Sequence, residues 1–259
     1  MEVISNKKVI YTALFGKYDD LLEPEIYDGW DYVCFTDDKD LTSKIWKIIY
    51  VGTKEYPNNL MNRMFKWLPH KFLEEYDISL YIDSNVVLLH NPDPLIEKYL
   101  TNFMFAAPKH PGECLYRDSS GCVVLNKSNI HDTFDQIKYY VQEGFPENFG
   151  LSENAVLLRK HNKEEVIELM ESVWDNLLHW KTKRDQLSLF YCIWKIDFQF
   201  FTVIDLKLTE ENEYFKRVTH KYKHNRTLMQ RLQGNIKKIK AKNDHKKYVR
   251  LLENLLKEK

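Results

Sequence analysis

The stretch Tyr81-Ile82-Asp83-Ser84-Asn85-Val86-Val87-Leu88 constrains the fold most, because it sets three polar residues between two apolar, β-prone runs. Ser79, Leu80, Tyr81 and Ile82 lead in, and Val86, Val87 and Leu88 lead out. That composition marks a buried strand ending on an acidic turn. A carboxylate between apolar runs is costly to bury without a partner, and backbone N–H groups or a metal ion are the readiest ones. Asp83 and Asn85 stand two apart, so in extended chain their side chains point to one side. Two hard oxygen ligands on one side suit Mg²⁺ or Mn²⁺, which keep water and take further ligands from substrate phosphates. The same residues also suit an Asx turn after a core strand.

Around this stretch, strand and helix patterns alternate to about residue 205, which predicts an α/β fold with a mostly parallel sheet. Lys7 to Phe15 is a nearly continuous apolar run, as for a strand covered on both faces. It ends at the turn Gly16-Lys17-Tyr18-Asp19-Asp20. Open parallel sheets bind ligands beyond the carboxyl ends of their strands, so Thr12, Ala13, Phe15 and Tyr18 are candidates to line a pocket. A plain strand–turn connection is the alternative. Trp30 to Asp37 is the second strand and Lys47 to Gly52 the third. Asn58 to Tyr76 reads as a helix, with Met61, Met64, Phe65, Leu68, Phe72 and Leu73 at spacings of three and four and a break near Pro69. Its Asn62, Arg63 and Lys66 share one side just before the acidic turn, where their charge meets phosphate or solvent.

Leu95 to Leu100 is a short helix, and residues 102–108 are strand-like. They lead to the loop Lys109-His110-Pro111-Gly112-Glu113-Cys114. Gly121 to Asn126 (GCVVLN) reads as another buried strand and Asp132 to Glu143 as an amphipathic helix. Ala155 to Leu158 is an apolar strand with Glu153 and Asn154 at its entry. Lys163 to Trp180 is a helix opened by Asn162, with Glu164 and Glu165 in its first turn. Arg184-Asp185-Gln186 precedes an apolar helix from Leu187 to Lys195, where Asp185 also suits an N-cap. Phe198 to Leu206 reads as the last strand.

The 259 residues are 44% hydrophobic and 14% aromatic, enough for a full core, so global disorder is excluded. No apolar run approaches the ~20 residues of a membrane span, and Met1 to Lys8 has no secretory apolar region. The expectation is a cytoplasmic protein. Its four cysteines are widely spread, form no CxxC pair and read as reduced packing residues. The net charge is zero, but Lys216 to Lys259 holds fifteen Lys or Arg against three acids. That asymmetry predicts a basic appendage with an anionic partner. Leu228, Leu232, Ile236 and Ile239, then Tyr248, Leu251, Leu252 and Leu255, mark basic amphipathic helices in residues 227–259, after a main domain of residues 1–226. They suit a hairpin packed on the domain or an interfacial element at the inner face of a membrane. No aromatic platform accompanies the charge, which argues against nucleic acid.

YVCFTD, NRMFKWLPHKFL, YIDSNVVLL and the later RDQLSLF occur in the order seen in GT-A-fold glycosyltransferases, and YTALFGKYD, the KHP loop and SENAVLLRKHN followed by W-x-x-x-RDQ carry the likeness to one family among them. Over roughly residues 9–225 the chain resembles a plant and bacterial hexosyltransferase family formerly described as a domain of unknown function. The resemblance implies a GT-A-like, Rossmann-like fold, with helices flanking a mostly parallel sheet and a C-terminal basic helical extension. It also implies a metal-dependent enzyme moving a hexose from a nucleotide sugar, UDP-linked rather than GDP-linked, to a glycan acceptor in surface polysaccharide synthesis. Asp83-Ser84-Asn85 stands where such enzymes carry a metal-binding DxD motif for Mn²⁺ or Mg²⁺, with Asn85 replacing the second acid. His220, or else His224, would be the third ligand. Thr12, Ala13, Phe15, Tyr18 and Asp37 would cradle the nucleoside, and Arg63, Lys66 and Lys109 would face the diphosphate. Asp185 would bind donor-sugar hydroxyls beside Arg184, with Gln186 beneath the reacting carbon. Glu153 and His110 would orient donor and acceptor, and Trp180 and Tyr116 are candidates to stack on the acceptor. An amide is a poor nucleophile, so a retaining reaction would use front-face displacement, whereas an inverting one would need Asp185 or Glu153 as base. A nucleotidyl- or phosphotransferase is the alternative, lowered by the lack of a GxxxxGK loop. A non-catalytic nucleotide-sugar-binding protein is another.

Overall fold

The first apolar run forms β1 (Lys8–Leu14), buried from Val9 onward, in a computed structural model that describes residues 7–219 and 228–258. The other strands are β2 (Trp30–Thr36), β3 (Lys47–Tyr50), β4 (Ile78–Ile82), β5 (Val86–Leu88), β6 (Phe105–Lys109), β7 (Val156–Arg159), β8 (Phe201–Lys207) and β9 (Phe215–Arg217). The helices are α1 (Asn58–Trp67), α2 (Asp93–Leu95), α3 (Leu115–Val124), α4 (Ile130–Gln142), α5 (Glu164–His179), α6 (Leu189–Lys195) and α7 (Leu228–Lys257). The chain divides into two units. The first holds the described part of Met1–Lys109, Ser152–Trp174 and Phe198–His224; the second holds His110–Leu151, Asp175–Asp197 and the described part of Asn225–Lys259.

All strands belong to the first unit. Seven form one sheet in the order β3-β2-β1-β4-β7-β6-β8. The pairs β1/β2, β2/β3, β1/β4 and β6/β8 are parallel, while β7 runs antiparallel to both β4 and β6. This is the mostly parallel sheet that the alternating patterns predict, with one reversed strand. A small second sheet pairs β5 with β9, antiparallel from Val86↔Arg217 to Leu88↔Phe215. The chain leaves β1 for β2 on one side, and β4 flanks β1 on the other. The carboxyl ends of β1 and β4 therefore border a topological switch point, where such sheets bind ligands. One face of the sheet carries a core of Ile10, Leu14, Leu80, Ile82, Leu158 and Ile204. α1 stops at Trp67, and Pro69 opens a separate one-turn 3₁₀ helix to Lys71, since proline cannot donate to the preceding turn.

In the second unit, the expected strand Gly121 to Asn126 is instead the end of helix α3. A short apolar run does not separate a strand from a buried helical turn. The buried positions Leu115, Tyr116, Ser119, Cys122 and Val123 repeat at helical spacing, which the strand reading overlooked. α4 is capped by Asn129, whose Oδ1 accepts from Asp132 N at 2.9 Å. The C-terminal residues form one long helix, α7, rather than a hairpin. Its Ala241, Tyr248 and Leu252 are buried. Tyr248 shares a 2.6 Å hydrogen bond with Ser119 of α3 and meets Phe134 of α4 edge-on. The four cysteines are all buried and free, as expected of packing residues.

Candidate functional site

β4 ends at the acidic turn. Asp83 N donates to Ala155 O and Val86 N donates to Asp83 O, both at 2.8 Å, so the backbone leaves the sheet in a turn. The chain is no longer a strand there, and the three polar side chains take different partners. Asp83 Oδ1 accepts from Tyr81 OH at 2.9 Å and lies 3.8 Å from Lys66 Nζ. Ser84 Oγ donates to Asp19 Oδ2 at 3.1 Å. Asn85 is buried; its Nδ2 donates to Val218 O at 3.1 Å while its own carbonyl accepts from Val218 N. Asp83 Oδ2 and Asn85 Oδ1 have no protein partner among the described residues. Thr12, Leu21, Leu22, Trp46, Ile82, Asp83, Ser84 and Val86 line a small cleft at this turn.

Lys66 is almost wholly buried, and its ammonium sits 5.2 Å from the centre of the Tyr81 ring. Burial, with Asp83 nearby, pushes the Tyr81 hydroxyl well above its usual pKa, so it stays a donor to that carboxylate. Beneath lies Arg159, fully buried and with no carboxylate partner among the described residues. It donates to Lys66 O at 2.9 Å, to Met170 Sδ at 3.3 Å and to Tyr11 OH. Burial lowers its pKa, with Tyr11 opposing. Nothing in local sequence marked Arg159, which follows the apolar run Ala155 to Leu158.

The turn after β1 is held from two sides. Gly16 and Lys17 take φ of 74° and 50°. An added Cβ at Gly16 would meet Asn58 Nδ2 at 2.0 Å and push that side chain aside, and the positive φ favours glycine there. Asp37 fixes the turn: Oδ1 accepts from Gly16 N and Oδ2 pairs with Lys54, both at 2.8 Å. Burial raises the Asp37 pKa, but the Lys54 and Gly16 hydrogen bonds outweigh it and hold the carboxyl below its usual range. Thr12 is buried, and its Oγ1 has no hydrogen-bond partner among the described residues. Ala13 O accepts from Asn62 Nδ2 at 2.5 Å. Phe15, expected to line a pocket, is packed inward. It is buried and stacks on Phe65 at 5.5 Å, because a bare ring at a sheet edge gains more from core burial than from solvent. Tyr18 is exposed. Arg63 Nη1 donates back to Asn59 O in its own helix. Lys109 is exposed at the end of β6, and Glu153 pairs with Arg217 at 3.1 Å. All of these belong to the first unit, and the local patterns missed Asp19 there.

The remaining candidates belong to the second unit. Asp185 is buried and opens a 3₁₀ turn, accepting from Gln186 N at 3.1 Å. Arg184 precedes it, and its carbonyl accepts from Ser188 Oγ. His110 Nδ1 accepts from Gly112 N at 2.9 Å, which leaves the ring proton on Nε2, 3.4 Å from Asp118 Oδ1. Tyr116 is not open to a sugar: it is fully buried, and its hydroxyl donates to Phe145 O at 2.6 Å. Trp180 packs on Tyr139 and Tyr140. His220 and His224 lie outside the described residues. Among the described residues no group of three or more His, Cys, Asp or Glu forms a metal cluster. No helix among them is long and apolar enough to cross a membrane.

Residues 1–224 match the family model for the TOD1/MUCI70, glycosyltransferase-like domain. The probable hexosyltransferase MUCI70 of Arabidopsis thaliana is 25% identical over 215 residues, which cover 70% of this chain and 36% of that protein. The chain thus spans about a third of the length of the curated relative it matches. Among solved structures, the glycosyltransferase GlyE of Streptococcus pneumoniae TIGR4 is 10% identical with a TM-score of 0.42, covering 77% of this chain and 45% of its own. A glycosyltransferase involved in the glycosylation of the major capsid of PBCV-1 is 10% identical with a TM-score of 0.44, covering 76% and 81%. Likenesses at these scores assign no substrate.

Proposed function

The chain belongs to the TOD1/MUCI70 glycosyltransferase-like family, and from that membership we propose that it is a hexosyltransferase. It takes a hexose from a nucleotide-diphosphate sugar, UDP-linked ahead of GDP-linked, and passes it to a glycan hydroxyl during surface polysaccharide synthesis. The observation that carries this reading is the acidic turn at the switch point, with the Lys66 ammonium 3.8 Å from Asp83. A carboxylate and a buried cation side by side at the carboxyl ends of β1 and β4 suit a ligand that combines a metal ion with a diphosphate.

Asp83 Oδ2 and Asn85 Oδ1 are hard oxygens without protein partners among the described residues. Those oxygens would suit Mn²⁺ or Mg²⁺, which take oxygen ligands and would draw the rest from substrate and water. His220, with His224 as the alternative, is proposed as a further ligand. A bound divalent ion supplies neutralisation of the charge that builds on the departing diphosphate. Lys66, fixed by the Tyr81 ring and by Arg159 under its carbonyl, adds preorganised positive charge. Arg63 and Lys109 add more. Asp37 and Gly16 hold the loop that, with Thr12, Ala13 and Tyr18, receives the nucleoside. Ser84 steadies the turn. The roles of Arg184, Asp185, Gln186, His110 and Glu153 stay as the resemblance implies them, and Asp185→Asn and Glu153→Gln test which carboxylate transfer requires. The exposed face of α7, with Lys242, Lys246, Lys247 and Arg250, is proposed to meet an anionic membrane surface.

Thermal-shift titration with UDP and GDP, each with and without Mn²⁺, tests the donor site in wild type and Asp83→Ala. Stabilisation follows RT ln(1 + [L]/Kd). UDP is expected to raise the melting point of wild type only with Mn²⁺, and to leave Asp83→Ala unmoved. If neither nucleotide shifts wild type under any metal, the transferase reading fails.

A further inference from the structure

The acidic turn itself offers one carboxylate, Asp83, and one neutral carboxamide, Asn85. Lys66, 3.8 Å from Asp83, offsets the single negative charge. A divalent cation held there by these groups alone would meet almost no net charge from the protein. A second carboxylate reaches the turn from elsewhere in the chain. Asp19, in the loop after β1, is 9% exposed, and its Oδ2 accepts from Ser84 Oγ, the middle residue of the turn, at 3.1 Å. β1 and β4 are parallel neighbours in register from Lys8↔Ile78 to Tyr11↔Tyr81, so both strands deliver their following residues to the same edge of the sheet. Asp19 and Asp83 thus flank Ser84 across the switch point.

A separate feature also points to a ligand. Thr12, 1% exposed, lines the cleft with Asp83 and Ser84, yet its Oγ1 has no partner among the described residues. An orphaned buried hydroxyl is costly to leave unpaired, and Mg²⁺ and Mn²⁺ keep several waters when bound to protein. A water carried by a bound cation would satisfy this hydroxyl.

Resting on the metal-dependent reading above, we propose that Asp19 binds the same divalent cation as Asp83. It supplies the second negative charge that Asn85 lacks, and Thr12 Oγ1 holds a water of that cation. The competing role for Asp19 is a metal-independent contact to the nucleoside.

Mn²⁺ binding without nucleotide, followed by loss of the free-ion paramagnetic resonance signal, separates the two on the full chain. Asp19→Asn is expected to weaken Mn²⁺ binding about tenfold or more, while UDP affinity in EDTA stays unchanged. Wild-type Mn²⁺ affinity in Asp19→Asn, with loss in Asp83→Asn, overturns the role of Asp19 and leaves the metal reading standing. Loss of UDP affinity in EDTA makes Asp19 a nucleoside contact and overturns the proposal. Absence of Mn²⁺ binding in wild type sinks both. Should Asp19→Asn fail to fold, Fe²⁺ and ascorbate cleavage of wild type decides: cuts at both residues 17–20 and 83–85 are expected, and cuts at 83–85 alone overturn the proposal.

Discussion

Asn85 shows why a residue can depart from an acidic pattern without abandoning the site. Its Nδ2 donates to Val218 O at 3.1 Å, and its backbone carbonyl accepts from Val218 N at 2.8 Å. The carboxamide thereby ties the acidic turn to the chain just beyond β9. A carboxylate there would set two acceptors against each other and leave the Val218 carbonyl unmatched. Asn85→Asp is therefore expected to lower stability by about 1–3 kcal/mol, read by urea denaturation, while tightening Mn²⁺ binding through the added charge. If Asn85→Asp is as stable as wild type, the tie to Val218 is not what holds asparagine in place.

At the scale of elements, α7 combines two faces with different duties. Tyr248 is fully buried and shares a hydrogen bond with Ser119 of α3. Tyr248→Phe is expected to cost about 1 kcal/mol and Tyr248→Ala about 3–5 kcal/mol, both measured by urea denaturation. The opposite face exposes Lys246, Lys247 and Arg250. Exposed charges contribute little to stability, so reversing all three to Glu is expected to change it by no more than roughly 0.5 kcal/mol per site. The same variant is expected to lose sedimentation with vesicles containing phosphatidylserine. Equal sedimentation of variant and wild type would remove the membrane surface as the partner of α7.

At the scale of the molecule, stability is expected to depend on pH through a histidine no local pattern singled out. His161 is fully buried, with Nε2 2.9 Å from Leu73 O, and burial lowers its pKa from 6.5 to about 4. The unfolded chain binds this proton below pH 6.5, whereas the folded chain resists it down to about 4. The contribution is thus complete above the unfolded value and is lost as pH falls through that window, by about 3 kcal/mol in all. Burial also lowers the pKa of His70, which adds a slope of the same sign. His161→Gln keeps a donor for Leu73 O and removes the proton, so its melting point is expected to fall less than that of wild type between pH 7 and pH 4. Parallel curves for the two proteins would show that His161 does not govern acid sensitivity.

Much of this was legible in the sequence. The apolar run of β1 announced a strand covered on both faces, and the alternation of strand and helix patterns announced a mostly parallel sheet. A polar triplet between Ile82 and Val86 announced the acidic turn. Those signals are local: burial of a strand and the cost of a buried carboxylate show in neighbouring residues. The antiparallel insertion of β7, the burial of Arg159 under Lys66, and the meeting of Asp19 with Ser84 across 65 positions were not legible. Nor was the helical state of GCVVLN, which its packing decided. Sequence alone determined which segments must be buried and where charge must find a partner. Tertiary structure alone decided which partner, because hydrogen bonds and charge pairs between distant segments depend on strand order and register, which no local period encodes.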